Sequence, residues 1–242
     1  MRIRLALTLC ALMAAPIPAL AQASAPAAQP VVKPVVQLGV DVLPYYQAGD
    51  RFGVPAKVAV DPAWDALLSS ANPDDIRKAT LGIAAKPELV KPETLIALAM
   101  RLYDIGLRDD AVFWYYAGRY RFLTMESVLD MRSMQLVKSA QVVDSFMQAA
   151  GPAMDGYAYC SIARQADDED RAIAWVAAHP YKVLGYTELP AVSDDRNAAL
   201  AAAVNHLRDA ARKKKALLND PATLAQLEQA RARNHANERY CW

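Results

Sequence analysis

An excess of charge of either sign is missing from this chain. Its 242 residues carry 27 Lys and Arg against 26 Asp and Glu. That leaves no basic footprint for nucleic acid, which shows as Lys and Arg clustered on a strongly basic domain. Glycine is scarce, with nine in the whole chain, and no stretch alternates apolar and polar residues for long, so a sheet protein is disfavoured. Past residue 23 no apolar run approaches the roughly 20 residues of a membrane-spanning helix. Cysteine occurs three times, at Cys10, Cys160 and Cys241, and His179, His206 and His235 lie in separate segments with no metal-ligand spacing. No Gly-x-Ser-x-Gly elbow, phosphate-cradling loop or dinucleotide fingerprint is present. The sequence therefore nominates no catalytic residue, metal or cofactor.

What is present first is an address. MRIRLALTLCALMAAPIPALAQA begins with Arg2 and Arg4, continues with an apolar run from Leu5 to Ala15, and breaks at Pro16 and Pro18. Ala19-Leu20-Ala21 then offers the small-x-small pattern of a signal peptidase site. Residues 1–21 read as a signal peptide, with cleavage after Ala21 or, at a second acceptable site, after Ala23. The expected location is periplasmic or secreted. Loss of the leader removes Arg2, Arg4 and Cys10. Cys160 and Cys241 then remain as an even pair in an oxidising compartment, where a disulfide is expected and two separate thiols are the alternative.

Residues 22–60 contain a small-residue, Pro-punctuated tract, Ser24 to Pro34, and then apolar residues without helical period. They read as an irregular arm, with a short strand pair as the other possibility. From residue 61 the signals are helical. Asp61-Pro62, Asn72-Pro73 and Asp220-Pro221 each place a cap before Pro at the first helical position. Leu95, Leu98, Ala99, Leu102 and Tyr103 share one face. Gly106 sits where a left-handed cap belongs, and a helix should follow from about Asp109 to Leu123. Met125 to Ala150 reads as one helix or two, stopped by Gly151-Pro152. Asp167 is expected to cap a helix with an acidic first turn that ends near His179, and Ser193 to cap another running to Leu218. The last should end near Asn237. The fold expected is all-α, with about seven or eight helices in antiparallel hairpins forming one domain over residues 61–242.

One stretch has a family accent. In Arg101 to Gly118, Tyr103 ends one helix, Gly106 makes the turn, and Ala111, Trp114-Tyr115 and Ala117 follow in the next. This resembles a hairpin of the tetratricopeptide superfamily, in particular its Sel-type variants, in one unit only. The loop is shorter than the Sel-type turn, and Gly118 stands where a second Ala is usual. Ala172-x-x-Trp175 is a weaker echo at the wrong spacing for a tandem repeat. The longer run from Trp114 to Tyr181 also resembles exported bacterial proteins of unassigned activity.

Trp114, Tyr115 and Tyr116 are consecutive, and each helical step turns about 100°, so they cannot all face one core. With Arg119 and Arg121 they form a candidate partner-binding patch, aromatic and Arg side chains being common interface anchors. The alternative is core plus ordinary surface. The acidic run Asp167 to Asp170 lacks calcium-loop spacing, and Arg212 to Lys215 reads as a solvated helix face. The expectation is a protein-binding module of the bacterial cell envelope, with an immunity-type inhibitor of an exported toxin as a specific case. The competing expectation is a cell-wall-acting enzyme with catalytic carboxylates assembled from distant positions. Two facing carboxylates in a concave site would favour the enzyme; a groove or an aromatic patch would favour binding.

Overall fold

In the computed structural model, residues 62–242 are described, together with two short strands, β1 (Tyr45–Gln47) and β2 (Ala56–Val58). The strands pair antiparallel, with Tyr45 opposite Val58 and Gln47 opposite Ala56. Of the two arrangements open for this arm, a strand pair therefore forms within it. The leader and the rest of the arm lie outside the described residues.

From residue 62 onward the regular elements are helices, with one isolated bridge between Leu129 and Ala191. The helices are α1 (Asp65–Leu68), α2 (Pro73–Ala85), α3 (Pro92–Asp104), α4 (Arg108–Val128), α5 (Val137–Ala158), α6 (Ile162–Ala178), α7 (Arg196–Leu218), α8 (Pro221–Arg233) and α9 (Ala236–Tyr240). The all-α expectation holds among the described residues, with nine α-helices where seven or eight were expected; α1 and α9 are single turns. The caps at Asn72 and Asp220 act as the sequence implied. Asn72 Oδ1 accepts from the Asp74 amide at 3.0 Å, and Asp220 Oδ2 from the Thr223 amide at 2.8 Å. Gly106 takes φ +85°, the left-handed turn between α3 and α4.

Several boundaries differ from expectation. α4 runs to Val128, past Leu123, and residues 129–136 are not helical, so Met125 to Ala150 is neither one helix nor two abutting ones. Pro152 does not stop α5, which continues to Ala158. Pro152 is exposed, so the carbonyl four residues earlier, on exposed Gln148, loses its helical donor where water can replace it. Asp167 does not begin α6. Ser161 does, its hydroxyl accepting from the Arg164 amide at 3.4 Å, so the acidic run sits mid-helix. Asp195, not Ser193, caps α7 by accepting from the Ala198 amide at 2.9 Å. After α8, His235 adopts a left-handed conformation and separates α9.

The helices pack around α4, which meets α3, α5, α6 and α7. Its closest neighbour is α3. A Cβ placed on Gly118 would stand 2.7 Å from Ile96 Cγ1 and 3.0 Å from the Pro92 carbonyl oxygen, so only glycine lets these helices approach so far. Ala111 is fully buried beside the same hairpin turn. A helix enclosed on most sides has to be apolar on most sides. α4 places Trp114, Tyr115, Tyr116, Tyr120 and Phe122 in nearly every direction around its axis, and all five are buried.

The chain's last residues are fastened back onto this body. Cys160, just after α5, is disulfide-bonded to Cys241, with Cα atoms 5.5 Å apart. The Tyr240 ring lies against Gly156, where a Cβ would come within 2.5 Å of it. Arg108 donates from Nη1 to the main-chain oxygen of Trp242 at 2.7 Å and lies 3.8 Å over its ring. By contrast α8 buries no residue.

Candidate functional site

The five residues expected to form a surface patch do not form one. Trp114, Tyr115, Tyr116 and Arg121 are buried, and Arg121 has no exposed surface. The reason is the position of α4. Consecutive aromatics cannot share one core face, but around a central helix each direction has its own neighbour. Trp114 packs edge-on against Trp175 of α6, ring centres 5.3 Å apart. Tyr116 stacks on Tyr120 at 5.9 Å, and the Tyr115 hydroxyl faces Gly151 of α5. Arg121 donates to the carbonyls of Pro87, Val90 and His179 at 2.6, 2.7 and 2.8 Å and lies under Trp175. Burial lowers its pKa to about 10, so it remains charged at neutral pH.

Arg119 is the exception. It is half-buried, and among the described residues it makes no hydrogen bond and no ion pair. Burial works against its charge, but the nearby Tyr115 and Asp155 oxygens more than offset this and raise its pKa. Arg119 lines two clefts, of about 410 and 630 Å³, which share Arg119 and Leu123. Between residues 114 and 128, α4 is buried except at Arg119, Leu123, Glu126 and Ser127. These four make one stripe, as the spacing i, i+4, i+7 requires. The stripe is the floor of a groove. One wall is α5, through Met147, Gln148, Pro152 and Asp155. The other is α7, through Ala203, His206, Leu207, Ala210 and Lys214.

A polar network holds the Arg119 end of this groove. Glu169 of α6 is buried and accepts from the Tyr120 hydroxyl, from Gln165 Nε2 at 3.1 Å and from Lys214 Nζ at 2.6 Å. Gln165 also donates to the Tyr116 hydroxyl at 3.3 Å, and its Oε1 is buried without a partner. Burial raises the pKa values of Tyr116 and Tyr120 and brings Tyr115 to about 12, so all three hydroxyls are neutral. Across the floor, burial raises the Asp155 pKa, opposed by Arg119 and Lys214 and by the Tyr116 hydroxyl that faces it. At the other end Glu126 is exposed, its pKa raised by burial first and by Asp144 of α5 second.

Sequence reasoning missed Glu169, Gln165 and Lys214. Lys214 belongs to the basic run read as solvated, and it turns inward while Lys215 stays out, 4.0 Å from Asp170. A signal was present. Gln165, Glu169, Ala172, Ile173 and Val176 recur at i, i+4, i+7, i+8 and i+11, one continuous helix face, and all five are buried. Two polar residues inside such a stripe mark a buried polar contact. No three His, Cys, Asp or Glu residues gather for a metal among the described residues, and no described helix is long and apolar enough to cross a membrane.

No family model matches the chain, and no solved structure matches it. An uncharacterized protein of Haemophilus influenzae is 31% identical to it over 201 residues, which span 83% of this chain and 77% of the relative. The chain belongs to one family with that Haemophilus influenzae protein.

Proposed function

We propose that the protein is an exported binding module of the bacterial cell envelope that holds a segment of a partner polypeptide in the groove over α4. The observation that carries this reading is Arg119, a half-buried guanidinium that lines both clefts, has Asp155 nearby and makes no hydrogen bond or ion pair among the described residues. A guanidinium that makes no hydrogen bond within the chain keeps its planar fork of donors for the carboxylate or carbonyl groups of a ligand. The leader-like residues 1–21 and the Cys160–Cys241 disulfide both suit an oxidising location outside the cytoplasm. The α3–α4 hairpin, with its glycine turn and close crossing, suits the tetratricopeptide-like reading of Arg101 to Gly118.

The enzyme reading has this in its favour: Asp155 and Glu169 both act on Tyr116, and the Asp155 pKa is raised. It is the weaker one. Glu169 already accepts three hydrogen bonds, which leaves little of the carboxylate for a reacting group.

Site-directed photocrosslinking tests the proposal. A photoreactive side chain at Leu123 should form polypeptide adducts in intact cells, and the additional change Arg119→Gln should abolish them. The same probe at Leu217, exposed on α7, should give none. Equal adducts at both positions, or adducts indifferent to Arg119, would overturn it. Export is tested separately by N-terminal sequencing of the envelope fraction, which should begin at Gln22 or Ser24; a retained Met1 would exclude cleavage.

A further inference from the structure

From Asn219 to Trp242 no residue is buried. The Cys160–Cys241 bond joins this segment to the end of α5, and the bond is itself within reach of solvent: Cys160 is half-buried and Cys241 exposed. Arg231, near the end of α8, lies beside both sulfurs. Its Nη2 stands 3.1 Å from Cys241 Sγ and 3.6 Å from Cys160 Sγ, and donates to the Gly156 carbonyl at 3.2 Å. Its Nε donates to Asn237 Oδ1 at 2.9 Å, and no carboxylate pairs with it among the described residues. The charge is therefore left to act on the sulfurs.

A cation beside a sulfur stabilises the thiolate, which makes that sulfur a better leaving group in thiol–disulfide exchange. A disulfide also resists reduction to the extent that the fold keeps its two sulfurs together once the bond is broken, because closeness sets their effective concentration. Here Cys241 belongs to a segment that buries nothing, so little besides the bond keeps it near Cys160. We propose that Cys160–Cys241 is a reducible latch, opened by a dithiol, whose release frees α9 and uncovers Arg108. One thiolate of the dithiol attacks the exposed Cys241 Sγ. The S–S bond breaks, and its electron pair leaves on Cys160 Sγ beside Arg231. The second thiolate then attacks the dithiol's own sulfur in the mixed disulfide and expels Cys241 as a thiolate. Two electrons pass, the dithiol becomes a disulfide, and its two protons end on the two cysteines. Release withdraws the Trp242 ring and main-chain oxygen from Arg108. Arg108 is then accessible between the Tyr103 and Tyr157 rings, whose centres lie 5.0 and 5.8 Å from it. Reoxidation closes the latch. None of this depends on what the groove over α4 holds.

Dithiothreitol, a small dithiol, tests the proposal on the purified oxidised protein, with free thiols counted by alkylation and mass spectrometry. Both cysteines should be reduced in full without denaturant. The reduced protein should lose amide protection in α8 and α9, keep it in α4, and regain the lost part on reoxidation. Arg231→Gln should be reduced more slowly, by about threefold or more, whereas Arg231→Lys, which keeps the charge, should stay near the parent rate. The sign decides between two roles. If Arg231 only braced this corner, removing it would loosen Cys241 and speed reduction. Reduction of Arg231→Gln as fast as the parent or faster would overturn the proposal. So would reduction that waits for urea to unfold the whole chain, or a reduced protein in which α9 stays protected.

Discussion

Arg121 and His179 stand 58 residues apart in sequence and are joined by one hydrogen bond, Nη2 of the arginine donating to the histidine's main-chain carbonyl at 2.8 Å. The other terminal nitrogen of Arg121 holds two carbonyls in the turn between α2 and α3. One cation thus ties the end of α6 and the α2–α3 connection to the middle of α4. It does so without a carboxylate in hydrogen-bond contact, so three carbonyl dipoles replace the counter-ion. Arg121→Ala would leave these carbonyls short of donors and open a cavity beneath Trp175. The expected loss is about 3–5 kcal/mol, given about 1–3 kcal/mol for each unsatisfied buried group, partly relieved by water. Arg121→Lys keeps the charge but has no fork, and should cost less, about 1–3 kcal/mol. Urea melts check both values. A midpoint unmoved by Arg121→Ala would remove the clamp from this account.

Much of the fold was legible because helix punctuation is local. Asn72-Pro73 and Asp220-Pro221 cap and start helices through their own side chains, and Gly106 turns the chain because it alone tolerates φ +85° cheaply. Pro152 misled because its cost depends on what lies outside the helix, which a local reading does not contain. The site was misplaced for a related reason. That Trp114, Tyr115 and Tyr116 cannot face one side is correct geometry, and the inference of exposure fails because α3, α5, α6 and α7 pack on several sides of α4 and one core surrounds it. Arg119, the member of the set that lines the clefts, was in it, but a guanidinium without a hydrogen-bond partner in the chain and a paired one are the same letter in sequence.

Gly118 makes the α3–α4 contact close, and it stands where the tetratricopeptide-like pattern expects alanine. Gly118→Ala would push a methyl to 2.7 Å from Ile96 Cγ1 and 3.0 Å from the Pro92 carbonyl. Intrinsic helix propensity alone favours alanine by about 1 kcal/mol. The overpacking should outweigh it and give a net destabilisation of about 1–3 kcal/mol. Gly185→Ala is the control, since a Cβ there meets nothing within 4 Å; it should change stability by less than about 0.5 kcal/mol. Thermal melts that rank the two variants the other way would mean that α3 yields at the crossing.

Asp168 provides a pH signature. It is buried in mid-α6, and burial raises its pKa from the ordinary 3.8 to about 6, against the pull of Arg171 at 2.9 Å. A raised folded-state pKa means that the folded protein holds the proton more tightly than the unfolded chain. The stability this gives is complete below pH 3.8 and is lost as pH rises through about 6. Asp168→Asn cannot lose it. The variant's melting temperature, relative to the parent's, should therefore climb between pH 4 and 6.5 and stay level above. A flat difference across that range would show that Arg171 compensates the burial in full.

The Cys160–Cys241 bond closes a loop of 81 residues in sequence separation. The chain-entropy model assigns such a loop about 4–5 kcal/mol, and native disulfides deliver about 2–4 kcal/mol in practice. The lower range is expected here, because the closed loop contains α6 and α7, which pack on α4 without help. What the bond holds specifically is α9 and the end of the chain. α8 buries nothing of its own, so α9 depends on the disulfide, on Tyr240 against Gly156 and on Trp242 against Arg108. Arg231 reinforces the same corner by donating to the Gly156 carbonyl at 3.2 Å. A chain carrying Cys160→Ser and Cys241→Ser should keep slow amide exchange in α4 and lose protection in α8 and α9. Protease should then cut after Arg233 or Arg239 before any site in α3 to α7. Mass spectrometry of a non-reduced digest of the parent protein should recover the two cysteine peptides joined. Loss of protection spread evenly from α4 to α9 would instead make the bond a constraint on the whole fold, and the tail would not be a separate unit of stability.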